Sequence, residues 1–250
     1  MKRFENKTAI VTGGGSGLGR ACAARIGEEG GTVACFDLIL DAAKETADII
    51  AKAGGTARAY KVDVADQGSV RSAVATAAKD LGRPSVLINS AGIGGFYHAT
   101  EMPLEQWSRI LAVNLTGTFL VCQAVLPHLL DGGGNIVNIA SNAGLMGIAY
   151  GAAYCASKGG VVQLTRSLAV EFRDKNVRVN AICPGGMATP MTQTGFTPPE
   201  GADMMKFMRL DTPLGMAEPE WVANVVVMVA SDEGRYMTGS IVLADGGLAI

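Results

Sequence analysis

Thr8-Ala-Ile-Val-Thr-Gly-Gly-Gly-Ser-Gly-Leu-Gly19 decides how this chain folds. Ala9-Ile10-Val11 is a continuous apolar run, as a strand covered on both faces should be. It leads directly into a turn carrying Gly13, Gly14, Gly15, Gly17 and Gly19, and a helical pattern follows. Glycine is required where a backbone turns tightly and must approach a pyrophosphate. The helix N-terminus behind the turn offers free N–H groups and a partial positive charge to the same group. A strict Gly-x-Gly-x-x-Gly spacing is not met, because Leu18 stands where the third glycine would fall. What fits is Thr12-Gly13-x-x-x-Gly17-x-Gly19, with Ser16 and Leu18 among the intervening residues.

A second apolar run, Val33–Phe36, ends at Asp37, where a dinucleotide site places the acid that binds a ribose. Alone, Asp37 would serve equally well as a cap for the next helix. At the end of a strand–turn–helix–strand series it points to nucleotide binding. Neither Gly14-Gly15-Ser16 in the turn nor Leu38-Ile39-Leu40 after the acid offers a cation for a 2′-phosphate, so the expected cofactor is NAD (NADH) rather than NADP.

Beyond this unit, strand-like runs alternate with helical ones. Strands are predicted at Thr8–Thr12, Thr32–Asp37, Ala57–Val64, Val86–Ser90, Asn135–Ser141, Arg178–Cys183 and Ile241–Ala244. Helices are predicted near 18–29, 41–53, 67–80, 103–130, 154–174 and 219–230. This alternation makes βαβ units, a parallel sheet and an α/β fold class. No repeat or linker divides the 250 residues, so one domain spanning 1–250 is expected. The exception to the pattern is 187–216, which holds six methionines and no strand period. A long irregular segment in a compact domain suggests a functional lid.

Charge and cysteine content exclude several classes. Lys plus Arg is 21 and Asp plus Glu is 23, which leaves no footprint for nucleic acid or an anionic membrane. Five cysteines without a C-x-x-C pair suggest small buried side chains in a reducing compartment. His98 and His128 lack metal-ligand spacing, so no metal site is expected. No apolar segment follows Met1-Lys2-Arg3, and Trp221–Ala230, the longest strongly apolar run, is about half a bilayer crossing. A soluble, cytoplasmic protein is the expectation.

Tyr154-Cys-Ala-Ser-Lys158 opens an amphipathic helix, and residues four apart share one face. Phenol and ammonium can therefore act on one substrate region. A free tyrosine is a poor base near neutrality; a neighbouring cation, or the positive ring of an oxidised nicotinamide, favours its phenolate. Ser141, at the end of the fifth strand, is placed to hydrogen-bond an oxygen whose charge changes in the reaction.

With these residues the chain resembles the short-chain dehydrogenases/reductases over essentially its whole length. The likeness rests on Thr12-Gly-x-x-x-Gly-x-Gly19, Asp63-Val64, Asn89-Ser-Ala-Gly92, Asn114, Ser141, Tyr154-x-x-x-Lys158, Pro184-Gly185 with Thr189, and Asp245-Gly-Gly247. The resemblance implies one Rossmann-type domain, a doubly wound seven-stranded parallel sheet with helices on both faces. It implies Tyr154 as general acid/base, Lys158 on the nicotinamide ribose, Ser141 orienting the substrate oxygen and Asn114 supporting a water relay from a helix kink. Asp63 would contact adenine, Asn89, Ala91 and Gly92 would floor the adenine ribose, and Met187 and Thr189 would touch the carboxamide. The family's usual Asn-Asn-Ala-Gly has Ser90 at its second position here. The implied reaction is reversible hydride transfer between nicotinamide C4 and a carbinol or carbonyl carbon, in a homotetramer.

The expected substrate is a mostly apolar secondary alcohol or ketone. The lid supplies Met187, Met191, Phe196, Met204, Met205, Phe207, Met208 and Leu210, facing Leu145, Met146, Ile148, Tyr150, Phe96 and Tyr97. The same methionines would equally pack the lid onto the body or a neighbouring subunit. A carboxylate substrate would call for a bidentate arginine, and the lid's only one, Arg209, lies with Lys206 between Asp203 and Asp211. The alternative is reduction of a 3-ketoacyl group on an acyl carrier protein or coenzyme A. Carrier docking asks for basic charge, and Leu126–Asn135 has no Lys or Arg. A protein that binds the nucleotide without catalysis is a further alternative, since fold alone does not imply function.

Overall fold

The computed structural model describes residues 2–210 and 214–249, without the side chains of 208–210. Met1, Asp211 and Ile250, and the side chains of Met208, Arg209 and Leu210, therefore lie outside the described residues. Seven strands form one parallel sheet: β1 (Thr8–Thr12), β2 (Thr32–Asp37), β3 (Thr56–Lys61), β4 (Pro84–Asn89), β5 (Gly134–Ile139), β6 (Val177–Pro184) and β7 (Ile241–Ala244). Their order is β3-β2-β1-β4-β5-β6-β7, so the winding reverses between β1 and β4. A crevice opens at the carboxyl ends of the strands at such a reversal.

Alternate residues of each strand serve opposite faces. Ala9, Val11, Val33, Cys35, Val86 and Ile88 pack with Leu18, Cys22 and Ile26 of α1 (Gly17–Glu28), Ile50 of α2 (Leu40–Lys52), and Val222, Val226 and Val229 of a C-terminal helix, Pro219–Ala230. Ile10, Ala34, Phe36, Leu87 and Ile136 pack with α3 (Gln67–Leu81) and with the later helices Gly117–Leu130 and Ala152–Phe172. Both faces are dry, which is why these strands are apolar throughout.

The run predicted as one helix over 103–130 is interrupted. α4 (Leu104–Leu111) and α5 (Gly117–Leu130) are joined by a π-helical turn, Ala112–Thr116. Together they make a continuous helix of 27 residues, long and apolar enough to cross a membrane by length and composition. This corrects the expectation that Trp221–Ala230 is the longest apolar run. Val121, Cys122, Val125 and Leu129 of α5 are buried against the sheet, which makes it a core helix.

α6 (Ala152–Phe172) follows β5, and a short α7 (Pro190–Thr194) opens the lid. The Thr189-Pro190 pair explains α7: Thr189 caps it in a reciprocal box with Thr192, and proline sits in the first turn. A 3₁₀ segment, Met204–Leu210, comes next, and α8 (Pro219–Ala230) closes the region. The lid's ends are pinned by a parallel bridge between Met187 and Ala217. Ala188 N–H donates to the Ala217 carbonyl at 2.9 Å, and Ala217 N–H to that of Gly186 at 3.0 Å. β3 stops at Lys61, short of the predicted Val64, so Asp63 and Val64 lie in the loop beyond the sheet.

Candidate active site

A cleft of about 350 Å³ lies over the β1/β4 reversal. Gly13, Ser16, Gly17, Leu18, Gly19, Asp37, Leu38, Asp63, Val64, Ala91 and Gly92 line one part of it. Ser141, Tyr154, Lys158, Pro184, Gly185, Met187 and Thr189 line the rest. Two predicted residues, Asn89 and Asn114, are not in its wall; Arg109 and Val113 of the interrupted helix are, and were not predicted. Helical phase was the available signal for this pair, since Arg109 and Val113 are four apart and share a face.

The glycine turn is shaped by close approaches. A β-carbon on Gly19 would collide with the carbonyl of Gly13, and one on Gly13, whose φ is +64°, would lie 2.9 Å from Cα of Ala91. Thr12 closes the floor: its hydroxyl accepts the N–H groups of Ser90 and Ala91, both at 3.1 Å. The backbone thus carries this join, which is why serine is acceptable at position 90. Asp37 is held from both sides, accepting from Gly15 N–H and Ile39 N–H at 2.9 Å each. Arg20 stands behind the turn, bonded to the Gly15 carbonyl and to Glu45, so its charge is matched there and does not face the cleft. Asp63 accepts from Ala65 N–H at 2.9 Å.

Asn89 turns into the core instead. Its amide donates to Asn138 at 2.9 Å and to the Cys122 thiol at 3.2 Å, tying β4 to β5 and α5. Its side chain therefore does not floor a ribose as expected. Asn114, fully buried in the π turn, accepts from Ile93 N–H at 2.8 Å and donates to the Ile93 carbonyl and the Ser157 hydroxyl. Ser157 in turn donates to the carbonyl of Tyr154 at 2.8 Å. The Asn114 side chain has its hydrogen bonds filled within the protein, and it braces the start of α6.

Tyr154, Lys158 and Ser141 meet at the centre. Burial pushes the Tyr154 phenol up to about 12, while a hydrogen bond with Ser141 works the other way. Burial pushes Lys158 down to about 8; its ammonium donates to the Ile139 carbonyl at 2.8 Å and lies 5.8 Å from the Tyr154 ring centre. In the protein alone, burial is the largest influence on the Tyr154 phenol, and it disfavours the phenolate. A neighbouring positive charge, from Lys158 or from an oxidised nicotinamide ring, favours the phenolate. The glycine-rich turn, the anchored Asp37 and the buried Lys158 together fit a nicotinamide dinucleotide.

Above this centre the lid contributes both methionine and aromatic side chains. Met187 and Met191 reach the cleft, but Met204, Met205 and Met216 are exposed in the single chain. Phe196 and Phe207 take the inward positions and pack on Phe96, Tyr150 and Tyr154.

Comparison with known proteins settles the class. The family described as "Enoyl-(Acyl carrier protein) reductase" matches residues 13–249. A 2,5-dichloro-2,5-cyclohexadiene-1,4-diol dehydrogenase of Sphingobium indicum is 41% identical over 99% of this chain and 98% of its own. A 3-oxoacyl-[acyl-carrier-protein] reductase of Thermotoga maritima is 37% identical over 99% of this chain and 100% of its own. The crystal structure of a short-chain type dehydrogenase/reductase from Mycobacterium marinum superposes with a TM-score of 0.90 at 34% identity, covering 98% of this chain and 96% of that one. The chain belongs to the short-chain dehydrogenase/reductase family. Short-chain dehydrogenases/reductases are oxidoreductases that act on a carbinol or carbonyl carbon with a nicotinamide cofactor, NAD or NADP, and this chain is one of them.

Proposed function

We propose that this enzyme interconverts a mostly apolar secondary alcohol and its ketone with NAD(H), and that Tyr154 carries the proton. The observation that bears most weight is the meeting of Ser141, Tyr154 and Lys158 in the cleft that also holds Asp37 and the glycine turn. When bound, the dinucleotide supplies or accepts the hydride at the carbinol carbon. In oxidation, Tyr154 takes the hydroxyl proton at its phenolate oxygen while the carbon–hydrogen bond breaks; in reduction it returns that proton to the ketone oxygen. Ser141 donates to the same substrate oxygen and fixes its distance from Tyr154. Lys158, buried and cationic, holds the nicotinamide ribose and favours the phenolate once the ring is positive. Asn114 keeps the relay and the helix start in place through Ile93 and Ser157. Asp37, Asp63, Ala91, Gly92, Met187 and Thr189 are the proposed cofactor contacts.

The aromatic lid supports an uncharged substrate, and the 41% identical relative named for a ring-borne diol supports an alcohol. The carrier-protein reductase among the relatives favours a second reading, a 3-ketoacyl thioester. Arg83 bears on it: its guanidinium donates to the His128 carbonyl at 2.7 Å, bringing a cation to a segment that has none of its own. A cytoplasmic homotetramer completes the proposal. The test follows NADH absorbance with NAD saturating, using a cyclic or medium-chain secondary alcohol and its analogue bearing a terminal carboxylate. Acetoacetyl thioester reduction is measured in parallel with NADH saturating. The neutral alcohol is expected to have the highest kcat/KM; a higher value for the carboxylate, lost in Arg209→Ala, or for the thioester, overturns the proposal.

A further inference from the structure

The lid reaches Tyr154 through one ring. Phe196 lies with its centroid 5.0 Å from that of Tyr154, edge to face at 80°, and 5.0 Å from that of Phe96. Its outer edge rests on Gly94, where a β-carbon would overlap the ring's Cζ, Cε1 and Cε2 atoms. Phe96 meets Phe207 at 5.1 Å, and Phe207 stacks on Tyr150 at 5.4 Å and 23°. The result is a box of flat apolar walls beside the proton-carrying phenol.

The box is braced from the protein body. The Tyr150 hydroxyl accepts Asp203 N–H of the lid at 2.8 Å, and its carbonyl accepts Tyr97 N–H at 2.9 Å. His98 bonds the Glu200 carbonyl at 2.8 Å. Tyr150 itself sits at φ +64°, a conformation that bulky residues rarely adopt. Such a cost persists only where surrounding contacts fix it, and it gathers at ligand clamps. The walls are therefore preformed.

We propose that Phe196, seated on Gly94, is the specificity-determining residue of the alcohol site, and that it selects alcohols and ketones carried on an alicyclic or aromatic ring over open-chain analogues of the same carbon number. The inference rests on the alcohol/ketone reading above and names its substrate class. The substrate oxygen must come within hydrogen-bond reach of the Tyr154 hydroxyl, which brings the rest of the molecule against Phe196 and Phe96. A ring meets those faces with a flat apolar surface of its own, the contact that aromatic side chains favour. An open chain of the same carbon number must first lose the freedom of several rotors to fill the same space.

The test compares cyclohexanone with 2-hexanone bound to the enzyme–NAD complex, in which neither ketone can react, with affinities read by saturation-transfer NMR. Wild-type enzyme is expected to prefer cyclohexanone by roughly tenfold. Phe196→Leu, which keeps apolar volume, is expected to reduce the preference to about twofold. Gly94→Ala is expected to do the same by displacing the ring, since Gly94 has no left-handed φ to strain. NADH affinity, read by its fluorescence, is expected to stay unchanged in both variants, because neither residue lines the cofactor cleft. No preference in wild type, or a preference kept in both variants, overturns the proposal. Absence of NAD-linked turnover of either alcohol by wild type would count against the proposed function alone; the binding ratio would still decide the part played by Phe196.

Discussion

Gly15 and Asp37 hold each other: the N–H of Gly15 donates to Asp37 Oδ2 at 2.9 Å, and a β-carbon on Gly15 would stand 2.8 Å from that oxygen. The carboxylate is fixed inside the glycine turn and cannot swing away from an arriving phosphate. An added 2′-phosphate brings about −1.5 to −2 charges. At about 4 Å and an effective dielectric near 20, each repels the carboxylate by roughly 4 kcal/mol before solvent screening. NAD is expected to exceed NADP in kcat/KM by at least about a hundredfold, some 2.7 kcal/mol, with Asp37→Asn closing much of the gap. Equal values in the wild type would remove Asp37 from this role.

Replacing Tyr154 with phenylalanine removes the proposed proton carrier and little cofactor contact. A fall in kcat of roughly a hundredfold or more, with NADH affinity nearly intact, is expected from stopped-flow and fluorescence titration.

The phenol titration itself gives a separate measurement. Burial holds Tyr154 near 12 in the protein alone. A positive nicotinamide ring favours the phenolate, so NAD should lower this value and neutral-ringed NADH should lower it less. Ultraviolet difference titration against Tyr154→Phe isolates the group. Equal titration with and without NAD would contradict the account.

Lys158 is expected to trade stability for chemistry. Burial lowers it from 10.5 to about 8, so between those values the unfolded chain binds more protons and stability rises with pH. Below pH 8 the folded enzyme bears the full cost, at most roughly 3 kcal/mol, from which the bond to Ile139 subtracts. Lys158→Met should therefore lose activity yet melt a few degrees higher at pH 7, with the difference shrinking toward pH 10. A variant that melts lower at pH 7 would show the cation to be stabilising.

The assembly prediction rests on apolar side chains left uncovered on one chain. Phe119 of α5 and Val170 of α6 are 41% and 63% exposed, and self-complementary patches commonly close symmetric oligomers. Light scattering should give about four times 25.8 kDa at micromolar concentration. A mass of a single chain would refute it.

Much of this site was legible because its chemistry is written in short local spacings. Gly13, Gly17 and Gly19 mark a turn with no room for a β-carbon beside Ala91 or Gly13, and four residues from Tyr154 to Lys158 make one helical turn. Asn89 was misplaced because strand position does not say which way an amide turns: it bonds Asn138 and Cys122 rather than facing the cleft. The π turn at Asn114 has no proline or glycine inside it to announce it. In the lid, where no period sorts inward from outward residues, Phe196 and Phe207 stand among the expected lining residues beside the methionines; which of them meets Tyr154 depends on partners far away in sequence.

The bridge between Met187 and Ala217 gives the lid the character of an interchangeable cassette. Its two ends are neighbours whatever the intervening chain does, and doubling such a loop costs only about 0.6 kcal/mol in closure entropy. Descendants of this enzyme can therefore lengthen or shorten the middle of the segment, beyond the proposed cofactor contacts at Met187 and Thr189, without disturbing the sheet. New substrate ranges are open to it by drift in one stretch, while the remaining chain stays under the constraint of a chemistry that does not change.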